Sequence, residues 1–194
     1  MVPIILGSII ASGFVIERSL FFWKIRIDIK KFSDEIFFLL GKGEFARALE
    51  VCGNTAHPLS DIFRTGLERR DGNILDIERA MEREGNRQIA ALEKNLNYLM
   101  VIVGVEPLLG FLGTILGLIQ AFMNWETHAA SVTVDQLAAG IYQAMITTAG
   151  GLLVAIPFYI IYHFFLNKIN SITRELNQSG DEFLTILNEF KKSP

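Results

Sequence analysis

Apolar residues follow two rhythms along this chain. In three stretches, residues 1–23, 97–123 and 137–166, they run nearly unbroken; elsewhere they recur every three or four residues among charges. The third stretch has no Asp, Glu, Lys or Arg from 136 to 167. A helix crosses a bilayer with roughly 20 apolar residues, so each stretch predicts a transmembrane helix. In the first, MVPIILGSIIASGFVI, basic residues follow the apolar core and none precedes it. A signal peptide has the reverse order, so this reads as a retained span. Glu17 and Arg18 then lie near its inner end, with Trp23 at the interface.

Between the first two spans, residues 24–96 change in kind. Phe32, Ile36, Leu39 and Leu40 share one helical face that stops at Gly41. Phe45, Ala48, Leu49 and Cys52 form the next, ending at Gly53-Asn54. A third helix starts near Pro58 and stops at Asp71-Gly72-Asn73. The fourth carries Ile74, Ile77, Met81, Ile89, Leu92 and Leu96, and its pattern runs straight into the second span. After the third span, residues 167–194 predict an amphipathic helix and a polar tail.

Charge distribution turns this pattern into a topology. The net charge of −3 says little. The 18 Lys and Arg, however, fall between the first and second spans or after the third, with Arg18 at the first span's inner end. By the positive-inside rule that set is cytoplasmic, and the N-terminus and the 124–136 loop lie outside. The fold class is therefore an all-α integral membrane protein of three spans, with a helical cytoplasmic domain between the first and second and long helices reaching into the cytoplasm. Its basic residues face water or the anionic heads of membrane lipids. The single cysteine, Cys52, excludes an intrachain disulfide and reads as a small buried apolar residue. His57, His128 and His163 lack metal-ligand spacing. No phosphate loop, nucleophile elbow or basic aromatic stripe is present, so no enzyme, cofactor, metal or nucleic-acid role is indicated.

Candidate chemistry lies in the second and third spans. Gly110, Gly113 and Gly117 crowd the second, and Gly113 and Gly117 form a GxxxG pair. In the third, Thr147, Gly151 and Ala155 recur every fourth residue, beside a stripe of Ala144 and Thr148. Small residues at this spacing let helix backbones approach closely. Pro157 removes one backbone bond and predicts a bend. Thr114, Thr147 and Thr148 place hydroxyls at membrane depth, either to bond their own backbone or to serve a polar path. Glu106, before Pro107, is the one charge between Lys94 and Glu126. A carboxylate there faces protein or water, in a pore, in a packing contact or near the interface.

The strings PLLGFLGTILGLIQAF (107–122) and GIYQAMITTAGGLLVAIPFYIIYHF (140–164) resemble the MotA/TolQ/ExbB proton channel family, nearest its ExbB and TolQ branch. The three-span layout and ARALEVCGN fit as well. The MotA branch differs, with four spans and a larger cytoplasmic domain. The resemblance implies a multi-pass protein of the bacterial inner membrane that forms a homopentamer. Its second and third spans would line a pore holding the helices of a single-span ExbD-like or TolR-like partner. Proton flow would then drive work through TonB or the Tol-Pal system. The family's pore threonines fall on Thr114 and Thr148. Relatives carry Glu one turn before the latter, where this chain has Gln143, which cannot ionise. Either the pore is tuned differently or Glu106 substitutes; otherwise the titrating acid comes from the partner. A non-conducting scaffold, with glycines that only pack helices, is the alternative from another class.

Overall fold

The computed structural model describes residues 2–25, 27–127 and 134–192. It contains seven helices among them, α1 (Val2–Lys24), α2 (Ile29–Gly41), α3 (Phe45–Asn54), α4 (Pro58–Glu68), α5 (Ile74–Glu93), α6 (Leu96–Thr127) and α7 (Val134–Lys192), and no strand. Three helical segments are long and apolar enough to cross a membrane, one in α1, one in α6 and one in α7. The fold is therefore all-helical with three candidate spans.

Three boundaries differ from the sequence expectation. The fourth predicted helix does not run into the second span: α5 ends at Glu93, and Asn95 adopts φ 68 before α6 begins. Asn is among the few residues that tolerate this left-handed conformation, so the break needs neither Gly nor Pro. The predicted last helix is not separate either, because α7 continues from Val134 to Lys192 through Pro157 and Gly180. Of the outer loop expected at 124–136, residues 124–127 extend α6 and 134–136 open α7, while 128–133 lie outside the described residues.

The chain divides into two compact units, residues 1–18 with 95–165, and residues 19–94 with 166–194. In the second unit, apolar faces of α2 to α5 meet the last part of α7. Ile169, Ile172, Leu176, Phe183 and Leu187, spaced three, four, seven and four residues apart, are all buried there. Phe183 stacks on Phe63 at 4.9 Å, and Phe63 on Phe32 at 6.0 Å. Gly66 admits the Phe183 ring: a Cβ there would lie 2.6 Å from Phe183 Cε1 and 2.7 Å from Met81 Sδ. The helix starts follow local capping rules. Asp28 caps α2 by accepting from Lys31 N, and Asn73 caps α5 by accepting from Leu75 N. Cys52 is buried, and burial pushes its thiol up to about 12, which leaves it protonated and unreactive at neutral pH.

His57 caps α4 and is itself buried. Its Nδ1 accepts from Leu59 N at 3.1 Å, which requires that nitrogen to be unprotonated. Burial pushes the imidazole down from 6.5 to about 4. The unfolded chain therefore takes up this proton near pH 6.5, and the folded chain only near 4. Stability from this group is complete above the higher value and is lost as pH falls to the lower, by up to about 3 kcal/mol. Thermal unfolding of the purified chain from pH 7 to 4 tests this. His57→Asn keeps a capping acceptor without a titrating ring and should flatten the acid loss of Tm; an unchanged slope means the loss arises elsewhere.

Candidate functional site: the hydroxyl seam between α6 and α7

Within the first unit, α6 and α7 touch backbone to backbone. A Cβ added at Gly110 would stand 2.9 Å from Thr147 O and 3.0 Å from Thr148 Cα. At Gly113 it would meet Thr147 Oγ1 at 2.6 Å, and at Gly117 the Ala144 Cβ at 2.6 Å. The relation also runs the other way, since a Cβ at Gly151 would fall 2.6 Å from Glu106 O and 3.2 Å from Gly110 Cα. Ala144 and Ala155 are buried. Gly110, Gly113 and Gly117 of α6 thus face the small-residue stripe of α7, and bulky residues such as Leu108, Phe111, Leu112 and Leu116 are exposed. This is the small-residue contact that lipid favours, because helices there gain nothing from hiding apolar surface.

Close approach brings three hydroxyls together. Thr147 Oγ1 donates to Ala144 O at 2.7 Å and reaches Gly110 O on the facing helix at 3.2 Å. Thr148 Oγ1 donates to Gly110 O at 3.0 Å. Thr114 Oγ1 reaches Ala144 O at 3.0 Å and Gly110 O at 3.4 Å, and it is hydrogen-bonded to Thr148 Oγ1. The threonines therefore bond across the interface as well as within their own helices. Each hydroxyl has one proton and several acceptors in reach, so the pattern can rearrange by rotation about Cβ–Oγ1 alone. None of the three titrates.

An open groove of about 960 Å³ lies elsewhere in the chain, among residues of the second unit, whereas a smaller one of about 520 Å³ borders this seam. Gly113, Gly117, Gln120, Asn124, Gln143 and Thr147 line the smaller groove. Gln143 is exposed on α7. Gln120 Nε2 donates to Asn124 Oδ1 at 3.1 Å one turn along α6. Sequence reasoning missed these two amides, although two amides one turn apart in an apolar helix are a readable signal. The groove offers neutral donors and acceptors that can order water, leading to Thr147 at its side.

Glu106 sits apart from this cluster. Its backbone carbonyl faces Gly151, but its side chain turns toward Gly7 of α1 and is 2% exposed. Thr114 lies eight residues further along α6, about 12 Å down the axis. Gly7 was not singled out from the sequence, because nothing local marks it as the neighbour of residue 106.

Three candidate spans, with a hydroxyl seam between two of them, define a multi-pass membrane protein with a polar interface at membrane depth. Comparison with known sequences gives the family. Residues 54–178 match the model of the MotA/TolQ/ExbB proton channel family, and the chain belongs to that family. It is similar to the Tol-Pal system protein TolQ of Haemophilus influenzae, 37% identical over 162 residues that cover 82% of this chain and 64% of the relative. It is also similar to the putative biopolymer transport protein ExbB-like 1 of Synechocystis, 28% identical over 165 residues, covering 84% of this chain and 65% of the relative. The biopolymer transport protein ExbB of Salmonella typhimurium is 27% identical over 199 residues, covering 96% of this chain and 79% of the relative. The chain thus spans just under two thirds of the length of the first two relatives.

The seam makes a contrast between glycines testable. Gly110→Ala would force a methyl against the α7 backbone and should cost about 1–3 kcal/mol, the range for overpacking. Gly104→Ala meets nothing within 4 Å and should be neutral or slightly stabilising. Thermal unfolding of both variants in one detergent checks the difference; equal effects would mean that α6 and α7 do not meet at Gly110.

Proposed function

We propose that this chain is an ExbB-type subunit of a proton-driven motor in the bacterial inner membrane. In this reading it assembles as a homopentamer around the single-span helices of an ExbD-like partner. The N-terminus and the 124–136 loop face the periplasm, and residues 24–96 and 167–194 face the cytoplasm. Proton flow through the assembly energises a TonB-like protein and so outer-membrane transport. The observation that carries the reading is the seam itself: Thr114, Thr147 and Thr148 meet across glycine-thinned helices beside an amide-lined groove that includes Gln143. Hydroxyls and amides can hold a file of water and stabilise a passing charge, but they do not release protons at working pH. The titrating group is therefore an acid of the partner's helix.

A TolQ-type role in the Tol-Pal envelope system is the second reading. It is favoured by the 37% identity to TolQ of Haemophilus influenzae across 82% of this chain. Co-purification separates the two, through retention of an ExbD-like or a TolR-like partner.

Proton flux into liposomes holding the chain and its partner tests conduction. Thr148→Val removes the bond to Gly110 O and keeps the side-chain volume. Interhelical hydrogen bonds in membranes average about 0.6 kcal/mol, so the variant should assemble normally. Flux should fall at least ten-fold, with Thr114→Val similar but milder. Wild-type flux in a correctly assembled Thr148→Val complex would place the hydroxyl off the path, and absence of flux in the wild type would favour the scaffold.

A further inference from the structure

Glu106 is the only buried acidic residue among those described. It belongs to the face of α6 formed by Leu99, Val103 and Gly110, all buried. One carboxyl oxygen, Oε1, presses on Gly7 of α1 so closely that a Cβ at that glycine would overlap it, with the Ile102 side chain next to it. The other, Oε2, is sealed from solvent and has no hydrogen-bond partner. Among the described residues no cation is placed to answer an ionised carboxylate. Among the described residues of α1 the charged ones nearest Gly7 are Glu17 and Arg18, which pair with each other about 15 Å along the axis. On α6 there is no other charge between Lys94 and Glu126, and Tyr98 is stacked on Phe14. On α7 there is none from 136 to 167. There His163 packs between Tyr159 and Tyr162, about 18 Å along the axis from Gly151, and Tyr142 lies the other way.

A carboxylate charge buried to 2% exposure without a cation or donor beside it is among the costliest arrangements a membrane span can hold. The space left beside Oε1 does not admit even a methyl group. A proton fits and removes the charge. We propose that the carboxyl of Glu106, closed over by Gly7 of α1, is a proton-binding site of this chain, separate from the hydroxyl seam. The step balances as carboxylate plus proton giving carboxylic acid, with no other bond made or broken. Water must reach the carboxyl for the proton to leave, and parting of α1 from α6 at Gly7 would open it. Proton occupancy and the seating of α1 therefore favour one another, as linked equilibria require. This inference does not rest on conduction through the threonines, since a non-conducting scaffold would hold the same site.

Carbodiimide labelling of the purified full chain in liposomes, read by peptide mass spectrometry, tests it. Dicyclohexylcarbodiimide is apolar and partitions into the bilayer, so it reaches Glu106 whenever α1 parts from α6 at Gly7; it takes up the protonated carboxyl whole, the acid adding across one C=N bond and the adduct rearranging to a stable N-acylurea. At pH 7, Glu106 should label at least ten-fold faster than the exposed Glu126 and Asp135, and Glu106→Gln should abolish the label at that position. A water-soluble carbodiimide with an added amine should show the opposite order. Gly7→Ala should shift Glu106 reactivity toward the water-soluble reagent, while Gly13→Ala, which meets nothing within 4 Å, should not. Should Gly7→Ala fail to fold, the infrared carbonyl band of a protonated carboxyl decides: the inference requires it in the unmodified chain and its loss in Glu106→Gln. Equal labelling of Glu106, Glu126 and Asp135 by the apolar reagent, or spectra that do not differ, would overturn the proposal whatever the flux measurements show.

Discussion

The backbone contact between α6 and α7 is the constraint on which the membrane unit depends. Lipid tails are as apolar as leucine, so two spans associate only through dispersion at close range and through polar bonds that cross the interface. Both need the helices near each other, and glycine supplies the nearness. Thr147 and Thr148 reach Gly110 O at 3.2 and 3.0 Å only because no Cβ stands at residue 110. The same omission at Gly113 and Gly117 makes room for Thr147 and Ala144. Packing and polar chemistry are thus one feature here: a side chain at any of these glycines would part the helices and break the hydroxyl network together.

The second unit solves the opposite problem with opposite means. Here large apolar side chains carry the contacts, as expected where burial of apolar surface drives assembly. Phe32, Phe63 and Phe183 stack in series, and Ile36, Leu40, Leu59 and Leu67 of the same unit have 0% exposure. Glycine is used differently as well. Gly66 admits an aromatic ring, whereas Gly110 admits another backbone. One sequence thereby holds two packing codes, and the shift between them follows the charge pattern along the chain.

Most of this was legible from residue order, and the failures have physical causes. The spans showed themselves through uncharged length, and the seam through the four-residue spacing of Thr147, Gly151 and Ala155 against the glycines of the second span. Three matters were not readable. The break at Asn95 depends on one residue accepting a left-handed conformation that its neighbours do not announce. The continuity of α7 through Gly180 depends on tertiary burial of Leu176, Phe183 and Leu187, which overrides the local preference of glycine to end a helix. The direction of Glu106 depends on a partner almost a hundred residues earlier, and no periodicity encodes that choice.

That direction bears on how charge is arranged in this unit. α6 is shared by two contacts of different character. Toward α7 it presents hydroxyls and carbonyls, neutral and able to rearrange by rotation. Toward α1 it presents a carboxyl, which changes charge but has no room to move while Gly7 covers it. Gln143 cannot ionise, no carboxylate accompanies the threonines on α7, and Glu106 lies about 12 Å along α6 from Thr114. The carboxyl is therefore out of direct contact with the threonines in this arrangement. Any influence it has on the seam must pass through the position of α6, which α1 and α7 hold from two sides.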